Sequence, residues 1–323
     1  MSALPEGLTL ASRGSALARR QAGIVSELIR AAHPRIHVSV RTVTTAGDRD
    51  RRPFGSIAGR GVFVAEIERE VVEGRADLAV HSAKDLTADL AEGCTIACIP
   101  ARSAPQDVVL GGQGTSGEER LRSLSRGARV GTSSARRRAL VGEARADLGV
   151  VELRGNLDTR IDKVARGEAD AAVVAAAGLE RLDRRAEVET GSLDPAWWVP
   201  APGQGALAVE VATDRADLVE LLRPLSDPQA EAEVACERAF ASALEGGCSV
   251  PLGCLARVDG GNLVVTGYLG APEGGFALRD RVSGGASDAV GLGVELANAL
   301  RAAGGDEILL EIDAVDPVQP SPP

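Results

Sequence analysis

Hydrophobic and polar positions along the chain predict strands that alternate with helices. Apolar runs bounded by turn residues indicate strands, and apolar positions spaced by three and four indicate helices. The predicted strands cover residues 8–11, 37–44, 76–82, 129–131 and 150–155, and the predicted helices cover residues 16–32, 62–73, 135–146 and 157–166. Elements in this order form parallel βαβ units, so the sequence predicts an α/β fold that binds ligands at the carboxyl ends of its strands.

One helix-to-strand pattern occurs twice. Residues 71–86 and residues 164–179 align at a constant offset of 93 positions. The matching positions are Val71, Gly74, Ala76, Asp77, Ala79, Val80, Ala83 and Leu86, which recur as Val164, Gly167, Ala169, Asp170, Ala172, Val173, Ala176 and Leu179. Self-similarity at this spacing predicts two domains of like topology.

The pattern changes from Asp227 onward. A helix with proline in its first turn is predicted to reach about residue 244, and alternating strands follow as far as residue 312, with one more helix near 289–303. These elements predict a third, smaller α+β domain. Residues 46–61 are polar and glycine-rich and predict a mobile loop, and the proline-rich tail is predicted to be disordered.

Composition narrows the functional classes. Of 323 residues, 44% are hydrophobic and 25% are charged, and the net charge is −10 with a pI near 5.0. This acidic balance argues against a nucleic-acid binder or a binder of acidic membranes. No apolar run is long enough to span a bilayer, and arginines interrupt the N-terminal segment where a signal peptide has its apolar core. We therefore predict a cytoplasmic protein, and the odd number of cysteines, five, argues against a disulfide framework.

Arginines occupy several predicted strand-to-helix junctions. They are Arg13, Arg136, Arg137, Arg138, Arg154 and Arg160. In the first turn of a helix the macrodipole disfavours a cation, and a bound polyanion offsets that cost because guanidinium groups and helix N-termini both bind carboxylates or phosphates. We favour one cleft that binds several anions over the alternative, an arginine-rich composition whose side chains are solvated.

Lys84 and Asp85 directly follow a predicted buried strand. An aspartate at that position can orient N–H groups, stabilise a developing cation and exchange protons. The lysine can bind anions or form a Schiff base. A surface ion pair is the alternative, but the carboxyl end of a strand favours a site.

Cys248 lies on a predicted loop after two glycines, so its thiol is a candidate nucleophile or covalent attachment point. The histidines and cysteines have no metal-ligand spacing, and no metal site is predicted. Residues 112–117 match the dinucleotide-binding pattern G-x-G-x-x-G. The next predicted strand ends in Thr and Ser instead of an acid, which makes a nucleotide site there a weak prediction.

Eight segments together resemble the porphobilinogen deaminase family, also called hydroxymethylbilane synthase. They are ASRGSALARRQA, GVFVAEIE, AVHSAKDL, VGTSSARRR, LRGNLDTR, AGLERL, PAPGQGA and LEGGCSVPLG. The segments occur in this order over nearly the whole chain, and the set is far more specific than any one of them.

The resemblance implies an α/β fold with two periplasmic-binding-protein-like (type II) domains, whose sheets are mixed and mainly parallel, and a smaller C-terminal α+β domain. The implied bounds are residues 1–101 and 200–223 for domain 1, 102–199 for domain 2 and 224–316 for domain 3, with a disordered tail at 317–323. The loop at 46–61 is expected to act as a lid. The family is usually monomeric.

The resemblance also implies a transferase of tetrapyrrole (heme) biosynthesis with a dipyrromethane cofactor, attached to Cys248 by a thioether. Four porphobilinogen units are added one by one, each losing ammonia, and water then releases hydroxymethylbilane. Asp85 is the implied catalytic residue, which holds pyrrole N–H groups, stabilises the azafulvenium cation and serves the proton transfers.

The remaining implied site residues bind acetate and propionate groups or pack near the substrate. For the cofactor they are Lys84, Asp85, Thr132, Ser133, Ser134, Arg136, Arg137 and Arg154, and for the substrate they are Arg13, Ser15, Phe63, Arg154, Arg160 and Arg181. One departure is Thr87, where the family pattern usually has a proline, and it relaxes a backbone restraint near Asp85.

Two other functions fit parts of the sequence. A non-catalytic binder of a small polycarboxylate uses the same two-domain cleft but gives no role to Asp85 or Cys248. A Schiff-base enzyme built on Lys84 is the second.

Overall fold

The structure is a computed structural model that describes residues 5–49, 64–87, 89–184, 187–245, 250–272 and 274–315. Its strands are β1 (Gly7–Arg13), β2 (His37–Val43), β3 (Leu78–Ser82), β4 (Cys94–Cys98), β5 (Asp107–Gly111), β6 (Arg129–Gly131), β7 (Gly149–Val151), β8 (Ala171–Ala175), β9 (Thr190–Ser192), β10 (Leu207–Ala212), β11 (Leu252–Asp259), β12 (Asn262–Gly270) and β13 (Ala277–Gly285). Its helices are α1 (Ala16–Ala32), α2 (Ala46–Arg49), α3 (Ala65–Val72), α4 (Gly117–Ser123), α5 (Ala135–Ala144), α6 (Leu157–Ala165), α7 (Ala176–Arg181), α8 (Ala216–Leu222), α9 (Pro228–Ala243), α10 (Ala289–Leu300) and α11 (Asp306–Val315).

Two five-stranded sheets have the same strand order. The first is β2-β1-β3-β10-β4 and the second is β7-β6-β8-β5-β9. In each sheet four strands run in one direction, and β10 or β5 runs in the opposite direction. That antiparallel strand follows a connection from the other sheet. The topology confirms the predicted pair of periplasmic-binding-protein-like domains with mixed, mainly parallel sheets.

Two crossing segments, residues 99–106 and 193–206, connect the sheets. In the second of them Gly203 has a φ of +73°, and a Cβ at this position would lie 2.9 Å from the backbone carbon of Ala83. A residue with a side chain would be strained in φ and would collide with the chain that leads to Lys84. The glycine therefore lets the crossing segment pack directly against the end of β3.

Helix α1 shows how packing positions a strand end. Ser15 caps the helix, because its Oγ accepts a hydrogen bond from a backbone N–H of the first turn. Val25 and Ile29, four residues apart, are fully buried in one core with Leu10 of β1. Burial of each such side chain contributes about 1.5–3 kcal/mol. This packing fixes the carboxyl end of β1, where Arg13 lies, beside the start of α1.

The third sheet is antiparallel, in the order β11-β12-β13, and α9 and α10 contribute to its core. Glu237 of α9 is fully buried and accepts hydrogen bonds from Arg102 in the first crossing segment at 2.8 and 2.9 Å. It also accepts one from the backbone N–H of Gly203 at 2.6 Å. The small α+β body predicted from sequence is thus bound to the crossing segments.

The C-terminal prediction was wrong for its last element, because the segment predicted as a strand ending at residue 312 forms helix α11. Ile308 and Ile312, four residues apart, are buried on one side of this helix. Asp306 and Glu307 stand in its first turn, where the helix dipole favours acids. The apolar residues four positions apart and the acids in the first turn therefore indicate a helix better than the short apolar run indicates a strand.

The predicted loop at 46–61 contains the short helix α2 at its start. The remainder of that loop lies outside the described residues, as does the tail at 317–323, so the lid and the disordered tail stay predictions.

Candidate functional site

The centre of the candidate site is the turn that ends β3. Residues Ala83–Asp85 form a single 3-10 turn, in which the backbone N–H of Ala83 donates to the Ala206 carbonyl at 3.0 Å. Asp85 is exposed and Lys84 is half-buried. The turn thus presents a carboxylate to solvent at the carboxyl end of a buried strand, as the sequence predicted.

A cavity of about 50 Å³ opens beside this turn. Arg13, Ser15, His81 and Asp85 are among the residues that line it. These residues come from β1, from the start of α1 and from β3 with its turn. The structure therefore brings two of the predicted substrate-binding residues to the predicted catalytic aspartate.

Cations of the second sheet's helices and loops face the same turn. Burial lowers the pKa of Arg160 to about 10, and the charges of Arg137 and Arg154 lower it while that of Asp85 opposes them. Arg137, Arg154 and Asp85 are therefore near enough to Arg160 for their charges to act on it in a poorly solvated place. These effects agree with the predicted convergence of Arg137, Arg154 and Arg160 near Asp85, and the binding of anions by these residues stays a prediction.

Lys84 belongs to the same cationic group. Burial lowers its pKa to about 8, and the charge of Arg137 lowers it as well. Its Nζ donates to Oε1 of Gln204 at 3.3 Å. Asp85 and Asp107 favour the charged form of Lys84 but do not compensate burial and the charges of Arg137 and Arg136. Burial and neighbouring cations thus disfavour the charge on Lys84, as expected where an anionic ligand is to bind, and such binding stays a prediction.

Asp107, the first residue of β5, lies behind these cations and is fully buried. Its carboxylate accepts from Arg136 at 2.8 Å and from Arg137 at 2.7 Å, and from the side-chain amide of Gln204 at 2.8 Å. The indole N–H of Trp198 donates to it at 3.0 Å. Although burial alone would raise the pKa of Asp107, the two arginines hold it well below its usual range.

Asp107 and Gln204 were not predicted from the sequence, although each carries a signal there. Asp107 opens an otherwise apolar strand, and Gln204 stands between two glycines of the segment PAPGQGA. A polar side chain in such a place needs a buried partner.

Arg136 and Arg137, which are both buried, differ in their surroundings. Arg136 donates to Asp107 and to the Val199 carbonyl, and it lies near Tyr268 of the third sheet. Arg137 donates at 3.5 Å to Gln204 Oε1, the oxygen that also accepts from Lys84. Arg136 thus lies at the base of the site, and its role in binding the cofactor stays a prediction.

The hydroxyl groups predicted to bind the cofactor have local hydrogen bonds. Ser134 caps α5, Thr132 accepts from the backbone N–H of Ser134 at 3.1 Å, and Ser133 donates to the Leu153 carbonyl at 3.0 Å. They fix the loop between β6 and α5 on which Arg136 and Arg137 depend. Direct contact of these hydroxyls with a cofactor stays a prediction.

Arg181 lies where the two crossing segments meet. Its guanidinium donates to the Gly205 carbonyl at 2.6 Å and to Ser103 Oγ at 3.3 Å. Burial lowers its pKa to about 10. Two predicted site residues, Phe63 and Cys248, lie outside the described residues, so substrate packing and cofactor attachment there stay predictions.

The loop that matches G-x-G-x-x-G is occupied by a side chain of its own. Ser116 caps α4, and the Glu119 carboxylate accepts from the backbone N–H groups of Thr115 at 2.7 Å and Ser116 at 3.2 Å. These amides bind a carboxylate of the same chain. The contacts give no support to a nucleotide site.

Metal sites and membrane spans are both missing from the described part of the chain. No group of three or more His, Cys, Asp or Glu residues there could hold a metal ion. None of the helices described is long and apolar enough to cross a membrane.

Comparison with known proteins gives two family models that match the chain. "Porphobilinogen deaminase, dipyromethane cofactor binding domain" matches residues 8–220, and "Porphobilinogen deaminase, C-terminal domain" matches residues 231–302. The porphobilinogen deaminase of Roseiflexus castenholzii is 45% identical over 303 residues, covering 94% of this chain and 98% of the relative. That of Maridesulfovibrio salexigens is 41% identical over 303 residues, covering 94% and 97%.

Proposed function

Because the chain belongs to the porphobilinogen deaminase family, we propose that it is a transferase of tetrapyrrole (heme) biosynthesis that condenses four porphobilinogen molecules with loss of ammonia. Hydrolysis then releases hydroxymethylbilane. The observation that carries the proposal is the exposed carboxylate of Asp85 among crowded cations.

The cation set fits a ligand with several carboxylates. Lys84 and Arg160 both have a pKa lowered by burial and by neighbouring arginines. Anionic groups of a ligand would relieve this repulsion, and each pyrrole of porphobilinogen or dipyrromethane carries two carboxylates. An acidic protein with a local arginine cluster is suited to such ligands.

We propose that Cys248 holds the dipyrromethane by a thioether, with Lys84, Arg137 and Arg154 on its carboxylates. When bound, this group supplies the pyrrole carbon to which porphobilinogen is joined. Thr132, Ser133, Ser134 and Arg136 complete the proposed set, and the described contacts favour a supporting role for them.

Asp85 is the proposed catalytic residue. Its carboxylate accepts hydrogen bonds from pyrrole N–H groups and stabilises the cation that forms on the substrate as ammonia leaves. It also accepts the proton that is lost when the new carbon–carbon bond is completed. For the incoming substrate the proposed binding residues are Arg13, Ser15, Phe63, Arg154, Arg160 and Arg181.

We propose the domain bounds given by the resemblance: residues 1–101 and 200–223, residues 102–199, and residues 224–316. The three sheets fall within these bounds without exception. A cytoplasmic monomer without nucleic-acid or membrane partners completes the proposal. The non-catalytic polycarboxylate binder is not favoured, because family models that match most of the chain describe deaminases.

The test is an assay of purified protein with porphobilinogen, in which substrate consumption and ammonia release are both measured. We expect one ammonia for each porphobilinogen consumed, and a rate that falls by at least about 100-fold in Asp85→Asn. The matched control is Asp89→Asn, an exposed carboxylate four residues away, which should keep the unmodified rate. Binding of porphobilinogen without release of ammonia by the unmodified protein would show a binder and overturn the proposal.

A further inference from the structure

A buried acid-base cluster lies next to the site and has no role in the mechanism described above. His81 of β3 lines the same cavity as Asp85, and its Nε2 lies 3.1 Å from Oε2 of Glu210 on β10. The two strands are antiparallel neighbours. Both side chains are buried, and Glu210 is fully so.

A second carboxylate, Glu68 of α3, is buried beside this pair. Burial raises the pKa of Glu68, and the charge of Glu210 raises it further. The other oxygen of Glu210, Oε1, has no hydrogen-bond partner among the residues that the structure describes. Two buried carboxylates at close range cannot both stay ionised without cost, so the cluster is suited to hold a shared proton.

Charged and titratable groups face the cluster from every element packed on it. They are Arg13 from β1, Glu68 from α3, Asp85 from the turn after β3, Cys94 from β4, Arg238 from α9 and Glu210 from β10. Cys94 is not a proton acceptor near neutral pH, because burial and the nearby carboxylates raise its pKa to about 12. His81 is the member of the cluster that also reaches the cavity.

The proposed reaction must export one proton in each cycle. The aminomethyl group of the substrate enters as an ammonium, and its carbon–nitrogen bond breaks with the electron pair leaving on ammonia. The new carbon–carbon bond is completed when the attacked pyrrole carbon loses a proton. Each condensation thus sets free one ammonia and one proton, and no oxidant or reductant is needed.

We propose that His81, held in place by Glu210, relays this proton. It takes the proton from Asp85 through water in the cavity, the buried cluster holds it, and the proton returns by the same water to solvent before the next condensation. The inference rests on the proposed function and assigns a positioning residue, Glu210, and a relay residue, His81, for that same site. The cavity is large enough for water to connect Asp85 with the imidazole. Glu210 also fixes the ring orientation and tautomer, as a carboxylate commonly does for a working histidine.

The test compares two variants, His81→Gln and Glu210→Gln, each purified with its cofactor. In His81→Gln we expect kcat to fall about 10-fold to 100-fold, the range of a proton-transfer contribution, with KM for porphobilinogen unchanged. The control is His33→Gln, a histidine whose Nε2 bonds the Leu221 carbonyl away from the site, and it should leave both constants unchanged.

A second readout does not depend on turnover. The chain has three histidines, His33, His37 and His81, so each imidazole nitrogen signal in an NMR spectrum can be assigned by substitution. Glu210→Gln removes the carboxylate that lies 3.1 Å from the His81 ring, so the nitrogen signals of His81 should change in chemical shift while those of His33 and His37 stay in place. In the same variant kcat should fall as it does in His81→Gln.

An unchanged kcat in His81→Gln would overturn the relay while leaving the deaminase proposal intact. Failure of the unmodified protein to release ammonia would instead overturn the proposed function. If neither variant folds with its cofactor, the pair is structural and the relay is wrong.

Discussion

Single residues define the site by crowding positive charge around one carboxylate. Lys84 shows the effect most clearly, since burial and Arg137 lower its pKa to about 8. Its ammonium form, the one that binds a carboxylate, is therefore lost as the pH rises above about 8. An unperturbed lysine would keep its charge to about pH 10.

We expect KM for porphobilinogen to rise between about pH 8 and about pH 9.5 in the unmodified enzyme, because Lys84 loses its proton. Lys84→Arg keeps its charge over this range, so its KM should stay flat. Steady-state kinetics of both proteins in the same buffers checks this. An equal rise in both would assign the effect to the substrate's own ionisation instead of Lys84.

Among the elements, the crossing segments pack closely against one side of the site. Gly203 packs on the backbone that leads to Lys84, and Gly205 follows it, beside Ser103 of the other crossing segment. Such contacts need both a left-handed backbone and the absence of a Cβ. These contacts explain why the segment PAPGQGA has glycines at these two positions, without reference to the family.

Gly203→Ala should lower the free energy of unfolding by about 2–4 kcal/mol, since strain in φ adds to a collision with Ala83. Gly167 is the matched control, because its φ is also +73° but no atom lies within 4 Å of the place that a Cβ would occupy. Gly167→Ala should cost only the strain, about 1 kcal/mol. Denaturant unfolding of both variants measures the difference, and equal losses would refute the close-packing argument.

The sequence predicted best those helices in which the spacing of apolar residues and the capping residue indicate the same bounds. Helix α1 has its predicted bounds, and Ser134 and Asn156 cap the helices predicted after them. Helix α11 was missed because its apolar run is short, although the spacing of Ile308 and Ile312 and the acids in its first turn are helix signals. Asp107 and Gln204 were missed because their partners are distant in sequence, so the local pattern indicates that each needs a partner but not which one.

Across the whole molecule, buried polar groups connect the three bodies. Asp107 joins Arg136 and Arg137 to Gln204 on the crossing segment, and Gln204 accepts from Lys84. Glu237 binds the third body to the crossing segments in the same way. The proposed anion site therefore depends on the arrangement of all three.

Asp107→Asn should destabilise the protein by about 3–5 kcal/mol, because two buried arginines lose their anion. The control Asp170→Asn removes a half-exposed partner of Arg129 and should cost no more than about 1 kcal/mol. Equal effects in denaturant unfolding would contradict the role of Asp107.

The same carboxylate predicts a pH dependence. The folded protein holds the pKa of Asp107 well below its usual range, so the unfolded chain takes up this proton first as the pH falls. The stabilisation is complete above about pH 4 and is lost progressively below it. The free energy of unfolding of Asp107→Asn, measured as a function of pH, should therefore lack the loss that Asp107 causes below about pH 4.

The proposed function as a whole requires that the chain build a pyrrole oligomer on a covalent cofactor. The decisive experiment is the intact mass of denatured, freshly purified protein, with and without porphobilinogen, repeated on Cys248→Ser. We predict an excess of two pyrrole units that grows in pyrrole-unit steps with substrate and is missing in the variant. An unmodified mass from a culture with intact tetrapyrrole synthesis, unchanged by substrate, would contradict the proposal.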